Sequence, residues 1–306
     1  MNMKRLIFVL MLVSGGMLFA QQDALYSQYM FNQLVLNPAY TGAREAFTVT
    51  LVHRHQWASM EGAPRTYSLS VHSPLRDDRA AVGGYVYSDR IGPMQDVGGY
   101  GSFAYRIALN KSKLAFGVQA GVRHYDILWH LVNFNQSGDV ILNGQVKNSV
   151  IPDANFGVYW YSDKFYVGVT SKHLLQNKYA EVVLDEKTVY STLLRHFYLM
   201  GGLAIPIADK IVLKPSTLVK YVQHAPLQVD LNLSALFNDF LWIGASYRTK
   251  QALVAILEVN ITDQIRVGYS YDIVFNELRT YNKGSHEIML GFDITRNRRM
   301  LSPRFF

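Results

Sequence analysis

The chain has 306 residues; 49% are hydrophobic and 13% aromatic, only 17% are charged, and mean hydropathy is +0.03. That balance excludes a bundle of membrane helices and is poor in charge for a water-soluble protein, whereas an apolar outer face averaged with a polar interior produces it. The formal charge of +7 comes with no basic helix or base-stacking motif, so nucleic acid is not an expected partner, and the lack of Cys excludes a disulfide framework, a thiolate metal site and a lipidated amino-terminal Cys.

Residues 1–20 have the physics of a cleaved signal peptide. Lys4 and Arg5 form a positive start, Leu6 to Phe19 an apolar run, and Ala20 a small residue at the cut site. The run is about 14 residues, short of the roughly 20 that a spanning helix needs. Removing Lys4 and Arg5 leaves a charge of +5. No comparable run follows, so a membrane passage by residues 21–306, read as one domain, has to use strands.

Residues 21–46 form an arm unlike the rest. It contains QDALYSQYMFNQLVLNPAYTG from Gln22 to Gly42, without a period of two. Asn37 before Pro38 is expected to be extended, and Thr41-Gly42 to turn the chain. Tyr26, Tyr29, Phe31, Asn37, Pro38 and Tyr40 are the candidate contact residues of this arm. Two readings stay open: a plug or docking segment, or an ordered lead-in whose aromatics pack on a rim.

From Phe47 onward the dominant period is two. Over 265–273, Ile265, Val267, Tyr269, Tyr271 and Ile273 alternate with Arg266, Gly268, Ser270 and Asp272. The pattern predicts about 14 antiparallel strands: 47–57, 64–72, 79–88, 95–107, 113–124, 154–161, 164–171, 195–206, 210–221, 226–236, 240–248, 251–260, 264–273 and 285–295. Most are near the roughly 9–11 residues of a tilted spanning strand, and the number is even. The expected fold is therefore all-β, an up-and-down transmembrane barrel. Even-numbered connections (73–78, 108–112, 162–163, 207–209, 237–239, 261–263) are short. Odd ones include the long 125–153, 172–194 and 274–284, with short exceptions near 222–225 and 249–250. Such sorting matches an outer-membrane barrel with short periplasmic turns and both termini in the periplasm. Trp57, Tyr85, Tyr87, Trp129, Trp160, Tyr161, Tyr198, Tyr221, Trp242 and Tyr247 are expected in aromatic girdles against outer-membrane lipid.

With the apolar face outward, Arg54, Arg106, Arg123, Lys214, Lys220, Asp230, Arg248, Glu258, Arg266, Asp272, Glu287 and Asp293 point inward. They suit cross-strand ladders, a polar channel or a docking surface for the arm. Inward Gly and Ser suit a crowded lumen. Gly83-Gly84 and Gly98-Gly99 read as bulges or close contacts. His53 and His55 share a strand face but lack an evident third metal ligand, so no metal or other cofactor is expected. No nucleophile elbow, phosphate loop or carboxylate pair stands out, and the chain does not read as an enzyme. Asn133 and Asn135 in the longest connection are candidate partner contacts, as are Arg298, Arg299, Arg304 and Phe306 in the basic tail 296–306. The tail reads either as a docking segment or as a solvated end.

Several runs together resemble one family. They are SQYMFNQ and NPAYTG between Asp23 and Gly42; Arg54-His55-Gln56-Trp57 with Gly62-Ala63-Pro64; Lys214-Pro215-Ser216; QVDLN at 228–232; GASYR at 244–248; GYSYD at 268–272; GSHEI at 284–288; and SPRFF at 302–306. In this combination and order the chain resembles the PorP/SprF family of type IX secretion outer-membrane proteins of Bacteroidetes. The resemblance implies a non-catalytic role in secretion and gliding motility. It implies partners of two kinds: the C-terminal sorting domain of a secreted cargo or adhesin, and periplasmic type IX secretion components. A porin or transporter for a small solute is the alternative expectation, and an outer-membrane hydrolase a third.

Overall fold

A computed structural model of the protein describes residues 23–76, 78–131, 149–184, 187–275 and 277–294. Alternation of apolar and polar residues sends successive side chains to opposite faces, and the polar face closes on itself. The wall strands are β1 (Phe47–His55), β2 (Arg65–Pro74), β3 (Ala80–Ile91), β4 (Met94–Leu109), β5 (Ser112–Ile127), β6 (Ser149–Tyr161) and β7 (Phe165–Lys172). After a separate hairpin of β8 (Lys178–Leu184) and β9 (Lys187–Thr192) come β10 (His196–Leu203) and its continuation β11 (Ile205–Ala208). Then follow β12 (Ile211–Val222), β13 (Gln228–Phe237), β14 (Leu241–Arg248), β15 (Ala252–Asn260), β16 (Ile265–Val274) and β17 (Ser285–Ile294). Each strand pairs antiparallel with its neighbours, and β1 pairs with β17 from Phe47–Ile294 to His55–His286. Counting β10 and β11 as one staved strand, both paired with β12, the wall is a closed barrel of 14 strands.

The fourteen expected strands are all present, and the differences are local. β4 and β5 run for 16 residues each, well beyond the roughly 9–11 needed to cross. β3 and β4 therefore meet in a turn of only 92–93, making a third short odd connection. The 172–194 connection carries the β8–β9 hairpin, which a search for spanning strands passes over. Gly83, Gly84, Gly98 and Gly99 sit in an unbroken register, so they are close-approach positions, not bulges. No described helix is long and apolar enough to cross a membrane.

The burial pattern is inside out for a soluble protein. Along β16, Ile265, Tyr269 and Ile273 are exposed while Arg266, Ser270 and Asp272 are buried. Leu51, Val118, Val169, Leu199, Leu231 and Ile243 continue the apolar outer band. All twelve charges expected to face inward are buried. The girdle expectation needs correction for Tyr85, Tyr161, Tyr198 and Trp242, which are buried in the lumen, and for Tyr87, which packs against them. Trp129, Trp160, Tyr221 and Tyr247 do face outward. Aromatics fill both the interface and this interior, so recurrence at strand ends does not separate the two.

The arm explains the interior. Residues 23–46 run through the lumen as short 3-10 turns at Tyr29–Phe31, Gln33–Val35 and Pro38–Tyr40. Met30, Leu34, Gln33, Asn37, Ala39 and Thr41 have no exposed surface. Of the two readings of the arm, the plug is the structure. It enters at one mouth and leaves at the other: Asp23 packs on Lys172 and His173 beside the odd-numbered connections. Arg44 pairs with Asp293 at the opposite end, where β1 begins and β17 stops. Asp23 and Ile294, the first and last described residues, thus lie at opposite mouths, and the termini expected in the periplasm are outside the described residues. A strand count places only residues within the wall, and the arm before β1 spans the whole lumen.

Candidate functional site: the plugged lumen

The site builds from the arm outward. Asn37 is extended at φ −136°, ψ 113°, as a residue before Pro must be. Its side-chain oxygen accepts from the Ala39 amide at 2.9 Å, capping the Pro38–Tyr40 turn, and its Nδ2 donates to the Val158 carbonyl at 3.1 Å. The Thr41 hydroxyl donates to the Pro38 carbonyl at 2.6 Å. Gly42 takes φ +71°, donates its amide to His72 Nδ1 at 3.1 Å and accepts from Arg106 at 2.8 Å. The wall makes room for this turn. A Cβ on Gly117 would lie 2.2 Å from the Ala39 nitrogen, and one on Gly157 2.1 Å from Asn37 Oδ1. These two glycines face each other across the β5–β6 register.

Nearer the odd-numbered connections, four strands converge on Ser27 and Gln28. Glu287 accepts the amides of Ser27 and Gln28, each at 2.8 Å. The Ser27 hydroxyl donates to Asp272 at 2.8 Å. Arg54 reaches Asp272 at 2.7 Å, Glu287 at 3.2 Å and Ser27 Oγ at 2.8 Å. Arg248 joins Asp272 at 3.2 Å to Asp230 at 3.3 Å. Each of these side chains is essentially out of water. Burying charges is costly unless each is paired and hydrogen-bonded, and here the arm's own backbone amides complete the carboxylate shells. The ladder and arm-docking readings of the inward charges are therefore one network.

At the same mouth sits a second cluster. Asp23 contacts Lys172 at 2.5 Å, His173 Nε2 at 2.9 Å and Arg123 at 3.6 Å. His173 Nδ1 lies 2.7 Å from Asp153, which also accepts from the Tyr100 hydroxyl at 2.8 Å. Arg123 pairs with Asp96 as well. Burial pushes the Asp23 carboxyl up, but Lys172 and His173 outweigh it and hold it well below the usual carboxylate range. Burial pushes the His173 imidazole down, yet its carboxylate partners Asp23 and Asp153 leave it raised. The sequence reading named Arg123 but missed Asp23, Asp153, Lys172 and His173, since nothing in their spacing links an arm to strand ends about 150 residues away.

The middle and the far end are aromatic and ionic. Phe31 meets Trp242 edge-on at 5.9 Å, and the Lys214 ammonium lies 5.6–5.9 Å from the rings of Trp242, Phe31 and Tyr166. Tyr40 packs edge-on against Tyr159 and His72, both at 5.6 Å. Below them, Arg44 and Arg266 both reach Asp293 at 3.1 Å, and Glu45 pairs with Lys113 at the exit. Among the candidate partner contacts, Tyr26, Tyr29, Phe31, Asn37, Pro38 and Tyr40 are all buried inside the barrel. Asn133, Asn135, Arg298, Arg299, Arg304 and Phe306 lie outside the described residues. His53 and His55 are on the outward side of β1, with His53 stacked on Tyr67 at 4.3 Å. Among the described residues no group of three His, Cys, Asp or Glu is placed to hold a metal ion.

The motifs that converge on the plug are the ones that carry the family resemblance: SQYMFNQ and NPAYTG on the arm, and Arg54, Arg248, Asp272 and Glu287 on the wall. The family model for the type IX secretion system membrane protein PorP/SprF matches residues 18–292. The chain belongs to the PorP/SprF family. The match takes in the arm as well as every wall strand, so for this PorP/SprF chain the plug is part of the family domain. No curated protein matches the sequence. Among solved structures, a Pseudomonas aeruginosa FadL homologue aligns at 12% identity over 84% of this chain and 92% of its own, with a TM-score of 0.50. The Pseudomonas putida toluene transporter TodX gives 10% identity, 89% and 94% coverage and a TM-score of 0.47. Acinetobacter baumannii Omp33 gives 8%, 82%, 100% and 0.47. The likeness to the FadL homologue speaks to the fold alone.

Proposed function

We propose that this PorP/SprF barrel is a non-catalytic, cargo-holding component of type IX secretion in the outer membrane, retaining exported proteins such as gliding adhesins at the cell surface. The observation that carries the reading is the filled lumen. Residues 23–46 run packed through it and most of them are buried, which favours partners at the two mouths and the outer wall over a solute path. Short turns such as 110–111, 162–164 and 209–210 at one mouth support a periplasmic placement of that end. The other mouth then faces outward with β8–β9 and the connections 128–148 and 275–284, where a C-terminal sorting domain would dock. Periplasmic secretion components would meet the opposite mouth, where β17 ends at Ile294.

The test is affinity capture of the tagged protein from detergent-solubilised outer membranes, with partners identified by mass spectrometry. The expected result is one large surface protein held through its C-terminal domain, and its loss when residues 178–192 are replaced by a short turn. Capture of periplasmic ring proteins alone would replace the cargo-holding reading with a machine-subunit one.

A further inference from the structure

We infer that the arm is a transluminal strut that delivers Asp23, and with it the amino end of the mature chain, to the mouth carrying the long connections, opposite the mouth at which β17 ends at Ile294. In the orientation proposed above, on which this last step rests, that end is on the cell surface. Four successive sets of contacts fix the direction. Asp23 is held by Lys172 and His173, the last residue of β7 and the first of the connection after it. Ser27 and Gln28 are held by Glu287 near the start of β17 and by Asp272 near the end of β16, both close to the 275–284 connection. Asn37 lies at mid-wall against Val158 and the glycines 157 and 168. Gly42 and Arg44 reach Arg106 and Asp293, close to the short turns 110–111 and to the end of β17. Phe47 then starts β1 paired with Ile294.

The alternative, in which the arm enters and leaves by the same mouth, is incompatible with this order. Twenty-three residues lie between Asp23 and Phe47; their path is folded, with Phe31 reaching Trp242 and Lys214 near the short turns and Leu36 lying back beside Asp23 and Tyr26, but its two ends stay at opposite mouths. If processing follows Ala20, only two residues precede Asp23, and at 3.3–3.6 Å per residue they reach about 7 Å, far short of the other end of the barrel. A domain fused ahead of Asp23 would then be presented beside β8–β9.

Two measurements decide it. The chain lacks Cys, so Leu175→Cys beside the long connections and Asp209→Cys in a short turn are unique labels for the two mouths. With a short epitope inserted between Gln22 and Asp23, intact cells are probed with an impermeant maleimide and an antibody, then probed again after permeabilisation. The epitope should become accessible together with Leu175→Cys and never together with Asp209→Cys alone. Accessibility shared with Asp209→Cys overturns the inference. If Leu175→Cys and the epitope both require permeabilisation while Asp209→Cys does not, the strut stands and the proposed orientation fails. The second measurement needs no variant. Zero-length carbodiimide cross-linking of the unaltered protein should join Asp23 to Lys172, whereas a link from Asp23 to Lys164 or Lys210, beside the short turns, overturns the inference even if the inserted epitope disturbs folding.

Discussion

Gly157 shows how a wall residue is chosen by what crosses the lumen. An added Cβ there meets Asn37 Oδ1 at 2.1 Å, and the turn it strikes is capped by that same oxygen. Gly157→Ala should therefore destabilise the barrel by roughly 1–3 kcal/mol, the usual cost of overpacking, read as a lower midpoint in urea unfolding. Gly101, with open space around its missing Cβ, should tolerate Ala with little change. Arg54 is decided by charge instead. It stands among Asp272, Glu287 and Ser27 with 1% of its side chain exposed, so Arg54→Met leaves two carboxylates facing each other without their shared cation. A loss of about 3–5 kcal/mol is expected, and Glu287→Gln in the same background should restore part of it. A double-mutant cycle showing additive losses would remove Arg54 from the network.

The arm acts as one element held by separate anchors, and its amino-terminal anchor is pH-sensitive. The folded His173 pKa is raised, so its contribution is complete below the ordinary imidazole value near 6.5 and is lost as pH rises through the folded value. The folded Asp23 pKa is depressed, so its contribution is complete above the ordinary carboxylate value near 3.9 and is lost as pH falls through the folded value. Between about pH 4 and 6.5 both contributions are complete. Amide exchange at Ser27 and Gln28, corrected for intrinsic rates, should accelerate above that window, and His173→Gln should flatten the rise. Exchange at Thr41, whose amide donates to the Pro38 carbonyl, and at Gly42, held by Arg106 and His72 at the other mouth, should not follow it.

The molecule as a whole is a barrel closed around its own chain. The purified protein in planar bilayers should conduct far less than an open barrel of 14 strands, and a large steady conductance would restore the small-solute porin reading. Removing residues 23–45 should not simply open a pore. It strips hydrogen-bonding partners from Glu287, Asp272, Asp293 and Arg106, and takes Phe31 from Trp242 and Tyr40 from Tyr159. Such a variant should assemble poorly, with loss of heat-modifiable mobility on gels, and not accumulate as a leaky barrel.

Much of this was legible in the chain. Alternation along 265–273, and in thirteen other stretches, specified the wall, because lipid on one side and a polar interior on the other impose a period of two on every crossing strand. The same logic placed twelve charges inward, all of them buried, although it passed over Asp153 and Lys172, and Asn37-Pro38 announced its extended residue and turn. What remained for the tertiary structure was whatever depends on meeting across the lumen. Tyr85 and Tyr221 are equally aromatic, but only closure decides that one lines the interior and the other meets lipid. Asp23 and His173 are unremarkable apart, and become an anchor because the arm runs the length of the barrel. Periodicity is a local property written by the two solvents along each strand, whereas the occupancy of the lumen is a contact between distant segments, and no local pattern carries it.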